Sequence, residues 1–100
     1  MLKLYIGKHR AWSMKTFGAG YRTVGLIKHI QSELKEIEEN PMELDEWVDV
    51  MILAIDGAWR AGYSPNQIVK ALKKKQKVNF ARKWPEGIDE NSPVLHIKEE

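Results

Sequence analysis

One hundred residues, 43% of them hydrophobic, make one small domain with a modest core, close to the size at which helical chains complete their core by pairing. A homo-oligomer, dimer or tetramer, is therefore expected. The absence of cysteine excludes disulfides and thiolate chemistry. With no membrane-length apolar run and no signal-like leader, a soluble cytoplasmic protein without a membrane partner is expected.

The net charge of +2 conceals a polarised layout. No acid occurs before Glu33, nine fall between Glu33 and Asp56, none lies between Gly57 and Pro85, and five follow Pro85. A basic arm and a basic helix flanking an acidic centre suit a polyanionic ligand bridged to carboxylates by metal.

In chain order, Met1 to Gly7 alternates weakly and reads as a short strand or ordered arm. His9 to Thr16 can form two helical turns. Phe17-Gly18-Ala19-Gly20-Tyr21-Arg22 follows, and its two glycines break a helix and let backbone approach a ligand. Thr23 is a plausible N-cap for a helix running to about Glu39, whose apolar residues Ile27, Ile30, Leu34 and Ile37 recur at helical spacing and read as core. His29 lies on the neighbouring stripe with Glu33 and Glu36 but is not read as a ligand.

Asn40-Pro41-Met42-Glu43 reads as an N-cap, a first helical residue and a capping-box partner, starting a second helix at Pro41 that runs to about Ala61. Leu44, Val48, Met51, Ile52, Ile55 and Trp59 form its broad apolar face. Asp56 and Arg60 are one turn apart, which alone would give a local ion pair worth a few tenths of a kcal/mol. Asp56 also lies on the side that carries Asp49, where it could orient a sugar hydroxyl.

Gly62 closes that helix, and Ser64-Pro65-Asn66-Gln67 is a second capping box. The third helix is expected to bury Ile68, Val69 and Leu72 and to display Lys70, Lys73, Lys74, Lys75, Lys77, Arg82 and Lys83. A lysine-rich helix face is ordinarily just solvated. Residues 1–85 form the expected all-α domain, and 86–100 a tail with a short edge strand at Val94 to Ile97.

Eight of the fourteen acids lie between Glu33 and Asp49. Glu33 and Glu36, and again Glu46 and Asp49, are three apart, so each pair occupies one helix face with Cβ atoms ~5–6 Å apart. A lone pair of this kind is usually a solvated face. These two pairs, however, are symmetric about Pro41, and a short connection makes the helices antiparallel neighbours. All four carboxylates then meet at one level. Such an arrangement is repulsive without a divalent cation, and oxygen ligands with no His or Cys point to Mg²⁺ or Mn²⁺.

These pairs on a helical hairpin resemble the signature of the MazG-like all-α NTP pyrophosphohydrolases. TFGAGYRTVGLIKHI, ELKEIE, LDEWVDVMILAIDGAWRAGYSP and KQKVNFARKWP more closely resemble the phage and bacterial dATP/dGTP pyrophosphohydrolase family. The resemblance covers roughly His9 to Pro85, with a shortened gap of nine residues between Glu36 and Glu46. It implies an all-α helical hairpin plus third helix, a bundle completed by oligomerisation, and magnesium-dependent hydrolysis of a deoxynucleoside triphosphate to monophosphate and pyrophosphate. Glu33, Glu36, Glu46 and Asp49 would be the ligands, with Glu36 also orienting or deprotonating the attacking water. Arg22, Lys75, Asn79 and Arg82 match recurring family positions suited to triphosphate and sugar contacts. Val78 and Phe80 stand where polar residues are expected.

Two other readings use the same residues. The basic third helix after Gly62-Tyr63-Ser64-Pro65 could belong to a small nucleic-acid-binding protein, although the acidic hairpin would repel phosphate unless metal intervened. A catalytically silent helical partner is the other, and the four intact carboxylates argue against it.

Overall fold

Polar residues hide the first helix from a hydrophobic-pattern reading. The computed structural model describes residues 1–98, and α1 runs over Leu2–Phe17 where a strand or arm followed by two helical turns is expected. Its inward stripe is Ile6, His9 and Ser13, at three- and four-residue spacing. Two of those three are polar, so apolar periodicity does not mark the face that is buried.

The remaining elements are α2 (Thr23–Glu39), α3 (Leu44–Arg60) and α4 (Pro65–Ala81), with no strand among the described residues. The chain is all-α. It divides into two compact units, Met1–Val69 and Lys70–Glu100.

In the first unit α2 and α3 form the expected hairpin, and α1 packs against α3. The hairpin turn differs from expectation. Residues 40–43 stay outside the helix, Glu43 N–H donates to Asn40 O at 3.1 Å, and α3 begins at Leu44 rather than Pro41. The Pro41 carbonyl is taken by Trp47 Nε1 at 2.9 Å, so the tight reversal uses the proline as part of the turn. Asn40 provides no side-chain cap.

Leu26, Ile37 and Trp59 are buried together with Ile6. Ile27 and Leu34, expected in the core, remain about half exposed, and Leu44 and Met51 of α3 are more open still. Ile37 is buried and Ile30 half-buried as expected, while Leu26 takes the place expected of Ile27 because it faces α3: its Cδ1 lies 3.8 Å from a Cβ placed at Gly57.

The capping box at the start of α4 is present as expected. Gln67 N–H donates to Ser64 Oγ at 3.1 Å, and Ser64 N–H donates to Gln67 Oε1 at 2.9 Å. Ile68 and Val69 are half-buried, whereas Leu72 is exposed rather than buried.

In the second unit the expected edge strand at Val94 to Ile97 reduces to one antiparallel bridge, in which Ile97 N–H donates to Lys83 O at 2.8 Å. The last two residues of the expected tail, 99 and 100, lie outside the described residues.

Candidate metal centre and the cavity beside it

Helical spacing and a tight reversal together assemble the acidic group. Glu33 and Glu36 on α2 and Glu46 and Asp49 on α3 each offer a carboxylate oxygen, and these atoms all lie within 4.8 Å of one another. Glu33 Oε2 and Glu46 Oε2 are buried with no hydrogen-bond partner. An orphaned buried carboxylate oxygen is costly, and a cation between the two helices would satisfy both at once. The donor set is all oxygen, which fits a hard divalent cation.

The electrostatics agree. The Glu33 and Glu46 carboxyls are both pushed above their usual range, first by the adjoining Glu36 carboxyl, then by desolvation, then by the negative charge of their neighbours. His29 Nε2 lies 3.3 Å from Glu33 Oε1 and works in the opposite direction. It touches the cluster from an exposed position on α2.

A cavity of about 460 Å³ opens beside the cluster. Glu33 and Asp49 line one end of it, Trp12, Phe17, Leu26, Ile52 and Leu53 form apolar walls, and Arg22 adds a cation. The Arg22 guanidinium lies over the Phe17 ring at 5.1 Å, and Phe17 meets Trp12 edge-on at 5.5 Å. Apolar walls, a few convergent polar groups and a bank of carboxylates at one end are the usual make-up of a ligand site.

Asp56 also lines this cavity, but it is buried and fully engaged. Oδ1 faces His9 Nε2 at 3.0 Å, accepts from Trp59 Nε1 at 3.1 Å and accepts from Ser13 Oγ–H. Oδ2 accepts from Arg60 Nε at 2.6 Å. Burial alone would raise the Asp56 pKa, yet the hydrogen bonds from Ser13, Arg60 and His9 and the Arg60 charge outweigh it and hold the carboxyl below its usual range. A carboxylate has room for about four donors, so a sugar hydroxyl would have to compete with those already present.

Asp56 and Arg60 are therefore a buried pair, with side chains 6% and 2% exposed, and not the solvated local pair that their spacing alone suggests. The network of His9, Ser13, Asp56 and Arg60 as a whole has no local signature in the sequence. Its one legible sign is an acid and a base one turn apart inside the most apolar helix, while the partners on α1 are far away in sequence.

Lys75, Asn79 and Arg82 belong to the second unit. There Arg82 Nη1 donates to Asn79 Oδ1 at 3.2 Å, and Trp84 Nε1 donates to Asn79 O at 2.9 Å.

The profile of the dATP/dGTP pyrophosphohydrolase family matches residues 5–100, a span that contains the carboxylate cluster and the cavity. The chain belongs to that family. A similar protein is the Eaa protein of Salmonella phage P22, 40% identical over 93 residues, which are 93% of this chain and 29% of the phage protein. The chain thus spans less than a third of that relative's length. No solved structure matches it. No helix among the described residues is long and apolar enough to cross a membrane.

Proposed function

We propose that this chain hydrolyses a deoxynucleoside triphosphate, a purine nucleotide such as dATP or dGTP, to the monophosphate and pyrophosphate, with Mg²⁺ as cofactor and Mn²⁺ as a possible substitute. The observation that carries the reading is the convergence of Glu33, Glu36, Glu46 and Asp49, two of them with orphaned buried oxygens, at one end of a cavity walled by aromatic and aliphatic side chains. Membership of a dATP/dGTP pyrophosphohydrolase family supports this choice of substrate class.

In this reading the four carboxylates hold the metal. A bound divalent cation would polarise the phosphoryl oxygens, lower the pKa of a bound water and balance charge on the departing pyrophosphate. Glu36, an exposed member of the cluster, orients or deprotonates the attacking water, since a carboxylate open to solvent can exchange the proton it accepts. Arg22 neutralises phosphate oxygens through charge-assisted hydrogen bonds. Trp12, Phe17, Ile52 and Leu53 exclude water around the nucleoside. Asp56, with both oxygens engaged by protein donors, serves mainly to build the cavity wall. Roles for Lys75, Asn79 and Arg82 rest on the family resemblance, and placement in the cytoplasm rests on the composition, which lacks cysteine.

The test is to incubate purified protein with each dNTP and Mg²⁺ and resolve monophosphate from pyrophosphate. Glu36→Gln and Asp49→Asn each remove a charge while leaving side-chain volume nearly unchanged, so they should abolish hydrolysis and retain the helical circular dichroism of the parent. Turnover within a few-fold of the parent in both variants would remove the cluster from the reaction.

A further inference from the structure

We infer that Arg60 is a positioning residue for the substrate cavity: anchored by Asp56, its guanidinium ties down the Gly18–Gly20 turn and thereby sets the wall formed by Phe17 and Arg22. The inference rests on the reaction proposed above and concerns a residue that does not itself line the cavity.

Arg60 is the last residue of α3 and is 6% exposed. Its donors reach three separate parts of the chain. Nε donates to Asp56 Oδ2 at 2.6 Å, Nη2 donates to Ser13 Oγ at 3.0 Å, and Nη1 donates to both Gly18 O and Gly20 O at 2.8 Å. The plane of the group stacks on Trp59, 4.3 Å from the ring centre. Only a planar fork with donors on three nitrogens can serve these acceptors from one position.

Two carbonyls converge on one nitrogen because of the shape of the turn. Gly18 has φ 88 and ψ 167, a conformation that is essentially confined to glycine. The turn leads directly from Phe17, at the end of α1, to Arg22, at the start of α2. Both flanking residues line the cavity whose far end carries Glu33 and Asp49. Holding the turn therefore fixes the aromatic wall and the cation relative to the carboxylates.

A purely structural need would be met at lower desolvation cost by apolar packing, since replacing a buried ion pair by well-packed hydrophobic residues is often neutral or stabilising. What apolar packing cannot supply is a directional hold on two backbone carbonyls.

Two variants approach the turn from opposite sides. Arg60→Lys keeps the charge that Asp56 requires but substitutes a point donor for the fork. Gly18→Ala leaves Arg60 intact and strains the turn through its backbone alone, because a Cβ there meets nothing within 4 Å. Each should raise KM for the dNTP about tenfold while kcat stays within about threefold, the signature of a misplaced binding wall beside an intact metal end. Hydrogen exchange should quicken over residues 17–22 and stay at parental rates in α2 and α3.

An unchanged KM in both variants would overturn the inference, whatever the exchange rates. So would faster exchange throughout the chain accompanied by loss of kcat alone, which is how a merely structural arginine behaves. If the parent turns over no dNTP, the proposed reaction fails on its own account. Exchange then decides the latch: acceleration confined to residues 17–22 supports it, and unchanged rates there overturn it.

Discussion

Replacing Asp56 by Asn tests the energetics of the buried network. The substitution keeps the volume but removes the charge that balances Arg60, whose side chain is 2% exposed and holds Asp56 at 2.6 Å. It also turns one acceptor oxygen into an amide donor, among neighbours that mostly donate. Removing one partner of a buried pair typically costs ~3–5 kcal/mol, because the remaining charge stays buried without compensation. A solvated pair one turn apart is worth only ~0.3–0.5 kcal/mol, so the two descriptions differ by about tenfold. Urea unfolding followed by circular dichroism measures the difference at equal m-value. At ~4–8 °C per kcal/mol for a domain of this size, the fall in Tm should exceed ~12 °C. Adding Arg60→Met to Asp56→Leu should recover part of the loss, since the orphaned charge is then gone. A cost below ~1 kcal/mol for Asp56→Asn would refute the view that this pair is buried and mutually compensated.

Mg²⁺ or Mn²⁺ should raise Tm, because binding to folded protein alone adds ~2.7 kcal/mol at a hundred times Kd. The double variant Glu33→Gln with Glu46→Gln should lose that response, and an unchanged response would place the cations elsewhere. The pH dependence follows from the raised Glu33 and Glu46 pKa values. Groups raised in the folded state favour folding when protonated, so their contribution is complete below the unfolded value and is lost as pH rises through the folded one. The metal-dependent gain in Tm should grow over the same rise in pH, because ligation requires the deprotonated carboxylates; a gain independent of pH would contradict this. The exposed apolar residues Ile27, Leu34, Trp47 and Met51 should be covered by a second copy, and sedimentation showing a stable monomer at micromolar concentration would contradict that.

The parts of the fold that were legible in the sequence are those where a local rule and the tertiary contact agree. The carboxylates at Glu33, Glu36, Glu46 and Asp49 meet because three-residue spacing and a short reversal leave them little alternative, and Ser64 and Gln67 cap α4 because a capping box is complete within four residues. Asn40 and Pro41 carry the same kind of signal and mislead, because Trp47 takes the Pro41 carbonyl and the chain needs those residues to reverse. The network at Asp56 was not legible, since its partners His9 and Ser13 are 47 and 43 residues away. Nothing local in α1 announces that a histidine and a serine will be its buried face.

Both halves of the candidate site depend on one helix. Asp49 and Asp56 are seven residues apart on α3, close to two turns, which places them on the same side and separates them by about 10 Å along the axis. One faces the carboxylates of α2, and the other faces the polar stripe of α1. The cavity lies between them, with α1, α2 and α3 each contributing to its lining. The cavity lining on α3 therefore runs over about two helical turns. That arrangement gives the two aspartates opposite requirements. Under the proposed function Asp49 would have to stay free of protein donors to serve a cation, whereas Asp56 is saturated by donors that tie it to α1. The orphaned oxygens of Glu33 and Glu46, which share the cluster with Asp49, and the filled oxygens of Asp56 follow that division.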